Sequence, residues 1–302
     1  MNLNTAGWAS RALTPLLRII RSSPNATVPV VAISEPINSE TAGLVNSDIA
    51  LVAKGTGATL AQVPDGTAAG GNKRGAGATD WQKVRDSSTQ VASAINATIA
   101  GGSYNVASGT FNYAPTVGGG ERNLASSDYA TVAGGTSNTA SGTYSFVGGG
   151  ASNTASSNYS FIGGGQVNRA QANPHATVCG GSTNTASGQK SFIGGGENNT
   201  NAGPRGVIIG GGQNSCDASA DDAVICGGNS NTANSAKSFV SGGKRGTTRS
   251  IVGYHVFPAC NIPIADAAGI TQSALLLLGR QTTDATATVL TRDTSAAAAT
   301  NQ

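Results

Sequence analysis

Residues 135–165 read GTSNTASGTYSFVGGGASNTASSNYSFIGGG and contain two consecutive copies of one short unit. Each unit ends in a cluster of glycines, and one glycine of that cluster, here called the anchor glycine, marks its end. The same unit recurs on both sides, with steps of 15 or 16 residues after a first step of 18. The ten anchor glycines are Gly102, Gly120, Gly135, Gly150, Gly165, Gly181, Gly196, Gly212, Gly228 and Gly243.

Two further positions of the unit are nearly constant. A branched aliphatic residue, the core column, lies three positions before each anchor glycine: Ile99, Val117, Val132, Val147, Ile162, Val178, Ile193, Ile209, Ile225 and Val240. An asparagine lies three positions after most anchors: Asn105, Asn123, Asn138, Asn153, Asn168, Asn184, Asn199 and Asn231, with Ser215 in that place after Gly212.

A residue type that recurs at a fixed step indicates one environment stacked along an axis. Steps of 15 or 16 residues are too short for helix-pair repeats. They fit one coil of a parallel β-solenoid, or β-roll, with two short strands and two tight turns. The sequence therefore predicts an all-β fold in which the aliphatic column fills the core. Stacked asparagine amides are expected to form a hydrogen-bonded ladder at the turns.

The position four residues before each anchor is apolar or threonine throughout and includes Phe146, Phe161, Phe192 and Phe239. These four phenylalanines lie on the opposite strand face from the core column, because successive side chains of a strand alternate. An exposed apolar stripe of this length usually marks an interface. We therefore expect an intertwined homotrimer with the phenylalanines as a candidate trimer face. The alternative is that strand twist places both faces partly inside one chain.

Composition argues against several function classes. Of 302 residues, 43 are glycine and 11% are charged, with a net charge of +3. This charge is too small for a typical nucleic-acid binder, and no apolar run is long enough to cross a membrane. Four cysteines without zinc-like spacing and two isolated histidines predict no catalytic, cofactor or metal site, and no enzyme activity. Neutral asparagines at the turns also disfavour a calcium-binding repeat.

The sequence divides into four segments. Residues 1–44 include Leu13, Leu16, Leu17 and Ile20 at helical spacing, which predicts a short helix that either attaches the chain to a larger particle or packs on its own trimer. Residues 45–95 form a β-rich connector, residues 96–246 the β-roll, and residues 247–302 a C-terminal β segment that leads to or docks a distal part. Two basic pairs, Lys73–Arg74 and Lys244–Arg245, are expected to cap the ends of the solenoid.

The unit Gly-Gly-x-x-Asn-x-Ala-Ser-Gly-x-x-Ser-x-Val/Ile-Gly-Gly resembles the head repeats of trimeric autotransporter adhesins of the YadA-like type. This resemblance implies a left-handed parallel β-roll with three chains around one axis. Residues 48–57, 70–75 and 80–82 resemble the segment that precedes such rolls in tailed-phage fibre proteins. Residues 281–302 resemble the place where those fibres pass into a distal domain.

The resemblance implies a virion protein, namely a tail fibre that takes part in host attachment. Its expected partners are two copies of itself, other virion proteins through the N-terminal segment, and a host-surface receptor. The first residues do not resemble a secretion signal, which fits assembly in the host cytoplasm. Three alternatives remain: a structural adaptor or capsid-decorating fibre, a bacterial adhesin head, and a glycan-cleaving tailspike. The tailspike is disfavoured because Asp221 and Asp222 are adjacent and would point to opposite strand faces.

Overall fold

The computed structural model describes residues 18–21, 29–32, 59–109, 113–258 and 272–275, with the backbone alone described at 18–21 and 29–32. These residues contain 25 strands and no helix, so the predicted all-β parallel β-solenoid is confirmed. The chain divides into two compact units, residues 1–52 and 53–302. No helix in the described ranges has the length and hydropathy needed to cross a membrane.

The first unit contains an antiparallel hairpin of β1 (Arg18–Arg21) and β2 (Pro29–Ala32). Ile20 lies in β1, opposite Val30, so the helix predicted there is wrong at this residue. Leu13, Leu16 and Leu17 lie outside the described residues. The physical reason is that β-branched residues fit a pleated strand, whereas so short a helix has little stability of its own.

The second unit is built on two parallel sheets whose strands alternate along the chain. The first sheet consists of β3 (Thr59–Leu60), β4 (Thr79–Asp80), β5 (Thr98–Ile99), β7 (Thr116–Val117), β9 (Thr131–Val132), β11 (Phe146–Val147), β13 (Phe161–Ile162), β15 (Thr177–Val178), β17 (Phe192–Ile193), β19 (Val207–Ile208), β21 (Val224–Ile225), β23 (Phe239–Val240), β24 (His255–Pro258) and β25 (Gln272–Leu275). The second consists of β6 (Val106–Ala107), β8 (Leu124–Ala125), β10 (Thr139–Ala140), β12 (Thr154–Ala155), β14 (Arg169–Ala170), β16 (Thr185–Ala186), β18 (Thr200–Asn201), β20 (Ser215–Cys216) and β22 (Thr232–Ala233). Only the last pair of the first sheet, β24 and β25, is antiparallel.

The core lies between the two sheets and is one side chain deep from each. In the two-residue strands from β5 to β23, the first residue points outward and the second is buried. The first sheet contributes valine or isoleucine, and the second contributes mostly alanine. A large residue therefore faces a small one in most coils, an arrangement that suits a narrow interior; the exception on the second sheet is the buried Asn201 of β18.

The coil after Gly196 corrects one member of the predicted core column. Ile208 is fully buried, whereas Ile209 is 55% exposed. The anchor glycine of this coil is Gly211, with φ of 86°, instead of Gly212. The three consecutive glycines at 210–212 permit two alignments of the repeat. With Gly211 as the anchor, the following coil is longer than its two neighbours, and its additional residues lie in the turn between β20 and β21.

The same shift places Asn214 in the asparagine ladder, which has no interruption at Ser215. Each ladder asparagine donates from Nδ2 to two glycine carbonyls, as Asn138 does to Gly134 at 3.0 Å and Gly150 at 2.9 Å. Its Oδ1 accepts the backbone N–H of the next ladder residue. The ladder starts at Gln82, runs through Asn105, Asn123, Asn138, Asn153, Asn168, Asn184, Asn199, Asn214 and Asn231, and ends on the backbone of Gly246. All of these side chains are buried, and each amide meets its hydrogen-bonding needs within the stack.

The residue before each ladder asparagine, and not the asparagine itself, adopts the left-handed backbone conformation. Val167 occupies this position with φ of 57°, where a β-branched side chain is strained. We expect Val167→Gly to raise the free energy of unfolding by about 1 kcal/mol, because relief of strain exceeds the entropic cost of glycine. Thermal unfolding would measure it. Ser152→Gly, at the equivalent φ of 58°, is the control and should change less; equal shifts would contradict the role of β-branching.

The N-terminal end of the solenoid is closed by a buried polar cluster. Asp80 takes the core position in β4, next to Ile99, and is fully buried. Arg74 Nε and Arg85 Nη2 donate to Asp80 Oδ2 at 2.8 and 3.1 Å. Arg74 thus takes part in closing this end through a buried ion pair with Asp80, whereas Lys73 is exposed. Besides the two sheets, each coil has a third side, where single residues of successive coils pair through parallel β-bridges. At the C-terminal end of the solenoid, Lys244 is the last residue of this bridge column. The antiparallel strand β25 ends the first sheet.

Candidate assembly surface

The outward side of the first sheet, here called the assembly face, has no charged residue over ten coils. It consists of two columns of side chains, four and two positions before the anchor glycines. The first column is Thr98, Thr116, Thr131, Phe146, Phe161, Thr177, Phe192, Val207, Val224 and Phe239; the second is Ala100, Gly118, Ala133, Gly148, Gly163, Cys179, Gly194, Ile209, Cys226 and Ser241. The candidate trimer face predicted from sequence lies within this surface. Ile209, excluded from the core, lies on it as well.

Phenylalanine and glycine are paired on the assembly face. A Cβ atom added at Gly148 would lie 3.4 Å from Cε1 of Phe146, and one at Gly194 would lie 3.5 Å from Cε1 of Phe192. These rings therefore lie over the glycines of their own coils. Phe146 also stacks on Phe161, with centroids 5.4 Å apart and planes 7° apart. The result is a low, regular apolar surface on which Phe161 is 40% exposed.

The other two sides of the solenoid carry charged residues. The outward residues of the second sheet are Val106 and Leu124 in its first two strands, and after them mostly threonine, with Arg169 in β14. The third side carries the bridge column, which includes Glu121, Glu197 and Lys244. Arg122 on this side contacts Glu121 and lies over the ring of Tyr104, 4.4 Å from its centroid. A surface of this length without a charged residue is therefore specific to the first sheet.

One column of aromatic residues runs beside the assembly face, six or seven positions before the anchor glycines. It contains Tyr113, Tyr129, Tyr144, Tyr159 and His175, here called the aromatic edge. Successive centroids are 6.3, 4.7, 5.3 and 4.9 Å apart, and successive planes differ by 6° to 9°. The four tyrosines are 44% to 52% exposed, and His175 is exposed too. The rings cover one another's faces and present their edges to solvent.

The repeat shows the tyrosine column, but its stacking depends on backbone conformation. Tyr129, Tyr144, Tyr159 and His175 all have φ between 57° and 63°, which orients their side chains alike. Non-glycine residues in this conformation are uncommon, and tyrosine is not a residue that signals it. The sequence signal for this stacked column is an aromatic residue that recurs once per coil, two positions before the outward residue of the first-sheet strand.

The same column becomes charged beyond His175, with Lys190, Arg205, Asp222 and Lys237. Arg205 donates to both Asp221 and Asp222 at 2.6 Å, and these exposed pairs add little stability. The hydrogen bond from Arg205 lowers the pKa of Asp222. Both carboxylates are thus engaged by one guanidinium.

The cysteines occupy unrelated environments. Cys179 and Cys226 lie on the assembly face, whereas Cys216 is buried in β20, and none of the three forms a disulfide. Burial raises the pKa of the Cys216 thiol to about 12, which keeps it protonated and unreactive. Within the described ranges, no group of three or more His, Cys, Asp or Glu side chains is placed to hold a metal ion.

No protein-family model matches this chain, and no curated protein sequence is significantly similar to it.

Proposed function

We propose that this chain forms the rod of a homotrimeric fibre on a tailed-phage particle and takes part in host attachment. The observation that carries the proposal is the assembly face. It carries mostly apolar residues and threonine, with no charge along ten coils, whereas the other sides of the solenoid carry charged residues such as Arg169 and Glu121. An apolar surface of this extent is typical of an interaction site.

Further copies of the same chain fit this face better than an unrelated partner does. Coils advance by about 4.8 Å in any such solenoid, so two parallel copies keep their repeats in phase along the whole rod. Parallel copies related by an axis along the rod also bring Phe146 and Phe161 to the same height as their counterparts. In full antiparallel overlap Phe161 would instead face Thr177 and Phe239 would face Thr98, so that two of the four phenylalanines would lose a phenylalanine partner. The repeat resembles heads with three chains around one axis, which favours a trimer.

A rod of stacked coils is suited to a structural role on a virion. The sheets, the asparagine ladder and the core repeat along one direction, so the described solenoid is stiff along its axis. In this proposal residues 1–44 contact other virion proteins, and the exposed sides of the rod face the host surface. The segments that resemble phage fibre proteins support the virion assignment.

Replacement of Phe161 and Phe192 by lysine should convert the trimer into monomers. Two lysines per chain would then be buried without partners, which costs several kcal/mol each. Sedimentation equilibrium would give a mass of three chains for the wild-type protein and of one chain, 29.7 kDa, for the variant. Thr139→Lys and Thr154→Lys, on the outward side of the second sheet, form the matched control and should stay trimeric. A monomeric wild-type protein, or dissociation of the control, would refute the assignment of this face.

The virion assignment needs its own test. Antibodies against the purified chain, used on particles from a phage lysate that contains this protein, should label an appendage in electron micrographs. Blocking adsorption to host cells with the same antibodies would support host attachment. Labelled protein found only free of particles would reject the assignment, whatever the association state of the chain.

A further inference from the structure

The aromatic edge is an exposed surface that the trimeric rod leaves free. Its column continues as Lys190, Arg205, Asp222 and Lys237, all exposed. If copies of the chain covered this column along the rod, these charged groups would be buried as well, at a high cost. The column therefore lies outside the seam between chains, and its aromatic half faces solvent. This step is the only one that rests on the proposed function.

The edge of a stacked aromatic column attracts negative charge. Aromatic rings carry partial positive charge at their edges and partial negative charge on their faces. In this column the faces cover one another, at centroid distances of 4.7 to 5.3 Å between Tyr129, Tyr144 and Tyr159. What remains exposed is a row of ring edges with phenolic O–H groups, which donate well to carboxylates.

The surroundings of the edge strengthen this preference. Among residues 126–130, 141–145, 156–160 and 171–176, which form these turns, Asp128 is the one acidic residue. It is 6% exposed, and its Oδ1 accepts the backbone N–H of Tyr113. Exposed Asn158 and Asn173 add amide groups that suit hydroxyl partners. Exposed Lys190 follows His175 in the column, so a cation stands at one end of the edge.

We infer that the aromatic edge, together with Lys190, binds an extended acidic polysaccharide. The donors repeat once per coil, at about 4.8 Å, which is close to the rise per sugar of an extended glycan chain. Phenolic groups would donate to its carboxylates and hydroxyls, and Lys190 would pair with a carboxylate. Nucleic acid fits less well, because bases stack on ring faces that are covered here and a net charge of +3 attracts phosphates weakly.

Binding of immobilised alginate oligomers, which are polyuronates, to the purified full chain tests the inference. Alginate should bind at least about tenfold more tightly than cello-oligosaccharides of equal length, and its affinity should fall with added salt, because hydrogen bonds to charged groups exceed those to neutral ones. Equal affinity for the neutral glycan, tighter binding of oligo-dT than of alginate, or no binding of alginate would overturn it.

Variants locate the site. Tyr129→Asn, Tyr144→Asn and Tyr159→Asn combined should weaken alginate binding by about tenfold or more, since asparagine tolerates the left-handed backbone but removes the rings. Lys237→Asn is the control in the same column, with φ of 54°, and should bind as the wild-type protein does. Lys190→Gln should lower the affinity for alginate and make that affinity less dependent on salt. This variant tests the site if the triple variant does not fold. Unchanged affinity in folded variants would refute the site. Sedimentation of the same samples distinguishes the homotrimeric fibre from the polysaccharide site. A monomeric protein that binds alginate would refute the trimer and leave the polysaccharide site supported.

Discussion

Gly165→Ala should lower the free energy of unfolding by more than about 4 kcal/mol, a loss that few single substitutions reach. An added Cβ would overlap the carbonyl oxygen of Gly181 in the next coil and lie 2.7 Å from Nδ2 of Asn168. The backbone at Gly165 has φ of 90°, where any side chain is strained. Relief would require the two coils to separate, which breaks the bridges on both sides of the turn.

The neighbouring glycine provides the control for this prediction. A Cβ on Gly164 would meet no atom closer than Gly149 O at 3.9 Å, and its φ is outside the left-handed region. Gly164→Ala should therefore change stability by less than about 1 kcal/mol. Thermal unfolding followed by circular dichroism compares the two variants. Similar losses for both would show that the close approach at the anchor glycine does not limit stacking.

The anchor position explains why glycine could be predicted there from the sequence. All ten anchors, with Gly211 in place of Gly212, have φ between 79° and 90°. Most of them also approach the next coil too closely for a side chain. Glycine alone meets both demands, so it recurs at the coil step and makes the repeat visible. The valine and isoleucine column and the asparagine ladder are visible for the same reason, because each has one role in every coil.

Several features that the sequence did not predict depart from the repeat. Asp80 continues the column of Ile99, and Gln82 continues the column of Asn105, but both differ in residue type from the columns they continue. The reason is their place at the end of the solenoid, where polar groups that a neighbouring coil would satisfy in the interior need other partners. The repeat alone does not distinguish Ile208 from Ile209 as the core residue, because either Gly211 or Gly212 can serve as the anchor glycine; the structure buries Ile208 and exposes Ile209. Ile20 lies in a hairpin set by pairing with Val30, a contact between chain segments that helical spacing does not encode.

Loss of one ladder amide should be nearly as damaging as a misplaced Cβ atom. Asn153 donates from Nδ2 to Gly149 O at 2.9 Å and Gly165 O at 2.8 Å, and its Oδ1 accepts Asn168 N–H at 2.9 Å. Asn153→Ala removes these three bonds and a fourth from Nδ2 to Asn138 Oδ1. It leaves the buried N–H of Asn168 and the carbonyl of Gly149 without these partners, whereas Gly165 O keeps the backbone N–H of Ala151. At about 1–3 kcal/mol for each unsatisfied group, the expected loss is roughly 3–5 kcal/mol, measured by thermal unfolding.

Two further substitutions show whether the amide or the volume matters. Asn158→Ala removes an exposed amide whose Oδ1 accepts Thr143 N–H, and it should cost less than about 1 kcal/mol. Asn153→Asp keeps the volume but replaces the donor with a carboxylate that faces two carbonyl oxygens, so its pKa should rise on folding. The folded state then binds a proton more tightly than the unfolded state does. Its destabilisation should be full above the raised pKa and should shrink as the pH falls, because a protonated carboxyl regains one donor. Two results would contradict a stabilising role for the ladder. One is an equal loss of unfolding free energy for Asn153→Ala and Asn158→Ala, and the other is a loss for Asn153→Asp that does not depend on pH. Either would mean that the ladder forms because the coils stack and adds no stability to the stack.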